Sequence, residues 1–188
     1  MKQILIFVSF LFLMSCNFHT VEEGVLYRSA QPTAKAIERA YDEYGIKTII
    51  NLRGENDDDW YLEEEQIARE LGIKLINIKM RASRIPLPKD LEKLFEAFDN
   101  APKPILMHCQ AGADRTGEAS AIYAMEYMGK SKEEALKMLT PKFFHIEKRH
   151  PAKRYFIKKY EGRDWAINDY NPCDEGWEHF PREEFCEE

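Results

Sequence analysis

The residues of this 188-residue chain best suited to chemistry lie between His108 and Gly117. His108 and Cys109 are followed by Gln110, Ala111, Gly112, Ala113 and Asp114, then by Arg115 and Thr116. The apolar run Pro104, Ile105, Leu106 and Met107 before them reads as a buried strand. Behind them, residues 116–128 space Ala119, Ile122, Tyr123, Met125 and Tyr127 as a half-buried helix would. A loop between a strand end and a helix start gathers backbone N–H groups that have no helical partner, and the helix dipole favours negative charge there. Such a loop is a nest for an oxyanion. Gly112 permits the tight turn, and the planar fork of Arg115 suits the oxygens of a phosphate. Cys109 at the base of that cup is expected as a thiolate. A thiolate under a bound phosphate can attack phosphorus and form a phosphocysteine that water later cleaves. The plainer reading, a structural Cys beside a core His, leaves the joint presence of Gly112, Arg115 and Thr116 unexplained.

The elements that must position this loop can be read in chain order. Residues 25–32 form a strand that ends in a turn at Gln31 and Pro32. Residues 33–44 are an amphipathic helix stopped near Gly45, and residues 47–53 are a β-branched strand closed by Gly54. Asp57, Asp58 and Asp59 suit the cap of a helix running to Leu71. Residues 73–78 read as a buried strand, 79–89 as a stiff polar loop with Arg81, Arg84, Pro86 and Pro88, and 90–98 as a helix. A capping box from Ser131 to Glu134 opens a helix to Leu139. The cations of residues 142–159 read as a solvated helix surface, with a basic face for an acidic substrate or anionic headgroups as the alternative. From residue 161 the chain turns acidic and aromatic, an irregular tail with its rings on the domain. Strands alternating with helices predict an α/β fold, a three-layer sandwich with a mostly parallel central sheet flanked by helices.

The His-Cys, five-residue gap, Arg-Thr pattern resembles the signature of the Cys-based protein tyrosine and dual-specificity phosphatases, matched here by His108, Cys109, Gly112, Arg115 and Thr116. Tyr27, Arg28, Ser29, Ala30, Gln31 and Pro32 resemble a segment near the start of many bacterial and atypical members. The likeness covers residues 24–160 and implies a protein tyrosine phosphatase-like fold. It implies Cys109 as nucleophile, Arg115 as the phosphoryl-binding cation, and Thr116 as the hydroxyl that eases departure of the thiolate. It implies substrate contacts from the backbone of Gln110, Ala111, Gly112 and Ala113. Arg28, Gln31, Arg53 and Arg84 are implied as pocket residues. Relatives take their general acid from the loop after the third strand, yet here that loop offers no acid before Asp90, itself suited to a helix cap. Asp114 is the other candidate. An Asp-Arg-Thr loop also occurs in myotubularin-like lipid phosphatases and similar bacterial enzymes, where the loop Asp is the proposed proton donor. The resemblance therefore implies a phosphotyrosine or dual-specificity phosphatase needing no metal or cofactor. An inositol-phosphate or phosphoinositide phosphatase is the runner-up, and a rhodanese-like sulfurtransferase a distant third.

Composition sets the remaining bounds. With 44% hydrophobic residues the chain can fill one core. A net charge of −6 argues against nucleic acid as a partner and leaves a phosphorylated protein or small phosphorylated substrate. Residues 1–15 join one lysine to an apolar run and read as an export signal. Leu13, Met14, Ser15 and Cys16 look like a lipobox, which predicts lipidation at Cys16 and a membrane partner through that anchor. Asn17 is not an acidic retention signal, which points to the outer membrane of a bacterial envelope. Residues 16–23 are then a linker, 24–160 the phosphatase domain and 161–188 the tail. In an oxidising compartment Cys173 and Cys186 could pair or stay free.

Overall fold

The computed structural model describes residues 17–186; the leader and Cys16 lie outside the described residues. The sheet has five strands in the order β1-β2-β5-β3-β4. These are β1 (His19–Glu22), β2 (Leu26–Ser29), β3 (Thr48–Asn51), β4 (Lys74–Asn77) and β5 (Ile105–His108). β1 runs antiparallel to β2, and all other pairings are parallel. The mostly parallel sheet is as expected. Residues 16–23 are not a free linker, because β1 forms inside that segment.

Side chains alternate across the sheet, and each face meets its own core. Tyr27, Ile49 and Leu106 face Ile37 and Ala40 of α1 (Ala34–Tyr44) and Ile67 and Ala68 of α2 (Asp59–Glu70). Leu26, Ile50, Ile105 and Met107 face the opposite layer. That layer is built from α3 (Pro88–Asn100), α4 (Arg115–Met128), the single turn α5 (Lys132–Ala135) and α6 (Pro151–Lys159). α7 (Arg163–Asn168) and α8 (Arg182–Phe185) complete the tail.

Local chemistry explains most boundaries. The Thr33 hydroxyl accepts from Ala36 N at 3.3 Å, and Gly45 ends α1 at φ 65°. Asp58 holds the N-cap position of α2, but its carboxylate accepts from the Trp60 indole at 2.8 Å instead of capping. β4 is an edge strand with an exposed Lys74, where a buried strand was expected. The capping box at Ser131 forms, yet only one α turn follows before a 3-10 turn at Leu136–Met138. Cys173 and Cys186 are bonded to each other, which closes the tail into a loop. Trp165, Tyr170 and Trp177 of that tail gather around Phe156 of α6.

Candidate active site

Residues 109–114 connect the carboxyl end of β5 to the start of α4, and neighbouring backbone holds them from beneath. Gln31 N donates to Gln110 O at 3.1 Å. Gly112 sits at φ 66°, and a Cβ there would lie 2.6 Å from the backbone of Ser29 and Ala30. No side chain fits so close to the adjoining strand. Arg28 donates from Nη2 to Gly112 O at 2.6 Å and from Nη1 to Met138 O at 3.1 Å. It is fully buried, with its guanidinium over the Phe143 ring. Arg28 is therefore a clamp under the loop and not a pocket-wall residue. β2 lies directly beside β5, with Arg28 opposite Met107, so this side chain emerges below the turn. Burial pulls its pKa down to about 10, while the neighbouring Cys109 acts in the other direction.

Cys109 is buried at the floor of the cup. Burial by itself raises a thiol pKa, but here it is outweighed. The Arg115 guanidinium, the hydroxyl and backbone N–H of Thr116 and the N–H of Gly112 bring the thiol below its ordinary value. The Thr116 hydroxyl is buried and, with the Thr116 N–H, is among the donors that favour the Cys109 thiolate. Arg115 Nε is likewise buried without a protein partner, a donor free for an anion. Gln110 and Ala111 face solvent, whereas Gly112 and Ala113 are buried.

The two candidate acids stand in different surroundings. Asp114 occupies the N-cap position of α4 but makes no cap bond with its side chain. One carboxylate oxygen lies 2.7 Å from His145 Nδ1 and the other 3.6 Å from His150 Nε2. His145 is almost wholly buried, and its other ring nitrogen has no partner. Asp90 lies in the first turn of α3, where burial raises its pKa against the pull of Lys89, Lys93 and Arg84.

Around the cup runs a chain of contacts that the motif did not disclose. His108 Nε2 lies 2.9 Å from Glu64 Oε1, both buried. Glu64 Oε2 accepts from Gln31 Nε2 at 2.6 Å, and Gln31 Oε1 accepts from Arg53 at 2.8 Å. Arg53 then stacks on Trp60, 3.3 Å from the ring centre. Burial and then the Arg115 guanidinium hold its pKa below the usual range, which places Arg53 beside the cup. Beneath α4, Glu118 and Lys153 form a fully buried pair at 2.7 Å, and Lys153 also donates to Arg84 O. Lys153 and His145 were expected on a solvated surface. Both are buried because they meet a carboxylate on α4 or in the loop leading to it. Glu64, Glu118, His145 and His150 come from distant sequence and carry no local motif; a polar residue at an apolar helical position, such as Glu118, is the only signal available.

Beside the cup, at the same carboxyl edge of the sheet, a cavity of about 610 Å³ opens. Lys79, Arg81, Arg84, Lys89 and Lys93 line it together with Glu55, Asp57 and Asp90. The Arg84 guanidinium also rests 3.9 Å from the centre of the Phe185 ring, so the tail forms part of its wall. Among the described residues no group of three His, Cys, Asp or Glu side chains is placed to hold a metal ion.

A family model for a DSP-PTPase phosphatase fused to NAD+ kinase matches residues 14–158. A dual specificity protein phosphatase of Pseudomonas aeruginosa, TpbA, is 27% identical over 113 residues, which are 59% of this chain and 48% of that one. A probable chloroplastic NAD kinase 2 of Oryza sativa is 37% identical over 97 residues, 50% of this chain and 10% of that protein. The chain thus spans about half the length of TpbA and a tenth of the plant protein. The core catalytic domain of the PP-IP phosphatase Siw14 from S. cerevisiae superposes with a TM-score of 0.66 at 27% identity, covering 79% of this chain and 87% of that one.

Proposed function

Since the chain belongs to the family of dual-specificity and tyrosine phosphatase domains of the kind fused to NAD+ kinase, we propose that it hydrolyses phosphate monoesters through a phosphocysteine on Cys109. The observation that carries this reading is a buried Cys109 thiol at the floor of the strand–loop–helix turn, beside an Arg115 whose buried Nε has no protein partner. The thiolate sulfur attacks phosphorus, and the bond from phosphorus to the leaving oxygen breaks. The unpartnered Nε of Arg115 and the amides of residues 110–115 hold the phosphoryl oxygens as charge redistributes. Asp114 protonates the departing oxygen and then takes a proton from the attacking water. His145, 2.7 Å away, can share that proton. Thr116 bonds the sulfur as it leaves phosphorus in the second step. Asp90 is the alternative acid.

The substrate we favour is a phosphotyrosine side chain, with phosphoserine and phosphothreonine as further members of the class. One observation supports a second reading. The neighbouring cavity gathers Lys79, Arg81, Arg84, Lys89 and Lys93, enough positive charge for the remaining phosphates of an inositol polyphosphate. Phosphate release without added metal, from a phosphotyrosine peptide and from inositol polyphosphates, tests both, with Cys109→Ser as the blank. Peptide turnover that vanishes in the variant is the expected result. Preference for the inositol ring favours the second reading, and no release from either defeats both.

We propose export and lipid anchoring at Cys16 in a bacterial envelope, a reading supported by the apolar leader and the lipobox-like residues 13–16. Mass spectrometry of the membrane-extracted chain checks this: a lipid-bearing Cys16 at the mature N-terminus is expected, and an unmodified Cys16→Ala variant is the control.

A further inference from the structure

Asn17, the residue after the proposed anchor, is already docked on the catalytic loop. It is 8% exposed, and its Nδ2 donates at 3.0 Å to Ala111 O of the loop and at 3.0 Å to Phe143 O. Cys16 is joined to Asn17 by a single peptide bond. Whatever draws Cys16 to a membrane therefore draws the phosphate cup with it.

The turn that receives Asn17 has a surface of matching chemistry. Phe144 is 63% exposed and Ile146 45% exposed. Phe144 is held outward by a left-handed backbone at φ 63°, a conformation that bulky residues rarely adopt. Lys142, Lys148 and Arg149 are exposed around these two side chains. The one acid in residues 142–149, Glu147, is engaged by Arg154 at 3.0 Å and Lys158 at 3.4 Å. Exposed aromatic and aliphatic tips within a ring of cations suit the headgroup layer of an anionic bilayer. A second copy of the chain fits less well, because a two-fold contact would set this cationic ring against itself.

We propose that residues 142–149 are a membrane-docking surface. Phe144 and Ile146 enter the headgroup region of an anionic bilayer, while Lys142, Lys148 and Arg149 meet the lipid phosphates. The Cys109 cup is thereby held at the membrane surface and not merely tethered near it. The same turn supplies His145 to Asp114, so the docked segment and the proton-handling group are continuous. This inference rests on the anchoring reading and is independent of which phosphate ester is cleaved.

The full chain, extracted from membranes and reconstituted in vesicles of neutral lipid and phosphatidylglycerol, provides the test. The phospholipids carry bromine on their acyl chains, which quenches nearby tryptophan. Phe144→Trp reports from the turn. Ile167→Trp reports from α7, where Arg163 is fixed to Asp99 at the far end of α3. With native tryptophan emission subtracted, the Phe144→Trp signal is expected to fall by about half, as for a ring at the headgroup boundary. The Ile167→Trp signal stays unchanged. Adding Lys142→Glu, Lys148→Glu and Arg149→Glu abolishes the quenching. Chain that sediments with vesicles but leaves Phe144→Trp unquenched overturns docking while anchoring stands. Chain that fails to sediment overturns both. Equal quenching at both positions means unspecific adsorption, and burial of Phe144→Trp in a lipid-free dimer assigns the surface to a second copy; either result also defeats the proposal.

Discussion

The cup around Cys109 and the cavity beside it use positive charge in opposite ways. The cup relies on few cations, but Arg28 is completely buried and Arg115 keeps a buried, unpartnered donor. The cavity gathers Lys79, Arg81, Arg84, Lys89 and Lys93, mixes them with Glu55, Asp57 and Asp90, and leaves all of the cations but Arg84 exposed to solvent. Charge–charge energy falls steeply with the effective dielectric, so the smaller buried set exerts the stronger field. Arg115, with the donors of Thr116 and Gly112, lowers the Cys109 thiol against the cost of burial. On the proposed function the cup provides the chemistry, while the cavity offers a wider set of cations beside it. One residue joins them. Lys153 pairs with Glu118 beneath the cup and donates to the carbonyl of Arg84, whose side chain lines the cavity.

Cutting that link is expected to have the largest effect. Lys153→Met leaves Glu118 buried and unpaired, which costs about 3–5 kcal/mol of stability. Denaturant unfolding measures it, and a shift within error of zero would mean that the pair does not hold α4 to the loop at Arg84. The pH dependence carries its own sign. Burial raises the Glu118 pKa to about 7, outweighing Lys153, against 4.5 for the free group. The folded state then retains a proton that the unfolded chain releases, so this group's contribution is full below pH 4.5 and is lost as pH rises to about 7. Glu118→Gln removes that component of the stability profile.

Next in size is Arg115→Lys, which keeps the charge and discards the fork. A loss of roughly 10²–10³ in kcat is expected, the scale of one oriented transition-state donor. A loss under tenfold would reduce Arg115 to a point charge, no different in kind from the cavity lysines. Asp114→Asn is expected to lower kcat by about 10² and to remove one limb of the pH–rate profile. Asp90→Asn leaves both nearly intact. The reverse outcome would move the proton donor from the cup to the cavity wall. The smallest effect belongs to the cavity itself: Lys89→Ala changes aryl-phosphate turnover by less than about fivefold, as expected of an exposed charge. If it instead removes turnover of inositol polyphosphates, the cavity is a substrate subsite.

Local sequence disclosed the reacting centre because its chemistry is compressed into one stretch. His108, Cys109, Gly112, Arg115 and Thr116 are covalently close, so strand, loop and helix start bring them together without help from distant elements. The parallel sheet was legible for a similar reason: apolar runs such as Ile49–Ile50 and Ile105–Met107 have to be covered on both faces. Arg28 shows where this reading fails. Its place beside Gln31 in a familiar segment suggested a pocket wall, but strand pairing set it under Gly112, where it meets two carbonyl oxygens, the Met138 sulfur and the Phe143 ring. The linker reading failed at β1, because whether residues 19–22 form a strand depends on an available edge of β2.

The sequence by itself determined a thiol, an arginine and a threonine at phosphate-loop spacing, and the α/β order that presents them. Only the tertiary structure decided what surrounds them. It brought His145 and His150 to Asp114, Glu64 to His108 and Lys153 to Glu118, and it placed Asn17 on the carbonyl of Ala111. The physical reason is separation along the chain. A helix or strand period fixes which neighbours share a face, but a buried charge chooses its partner across the packed interior. There an unpaired ion is costly enough that the fold brings distant residues together to satisfy it.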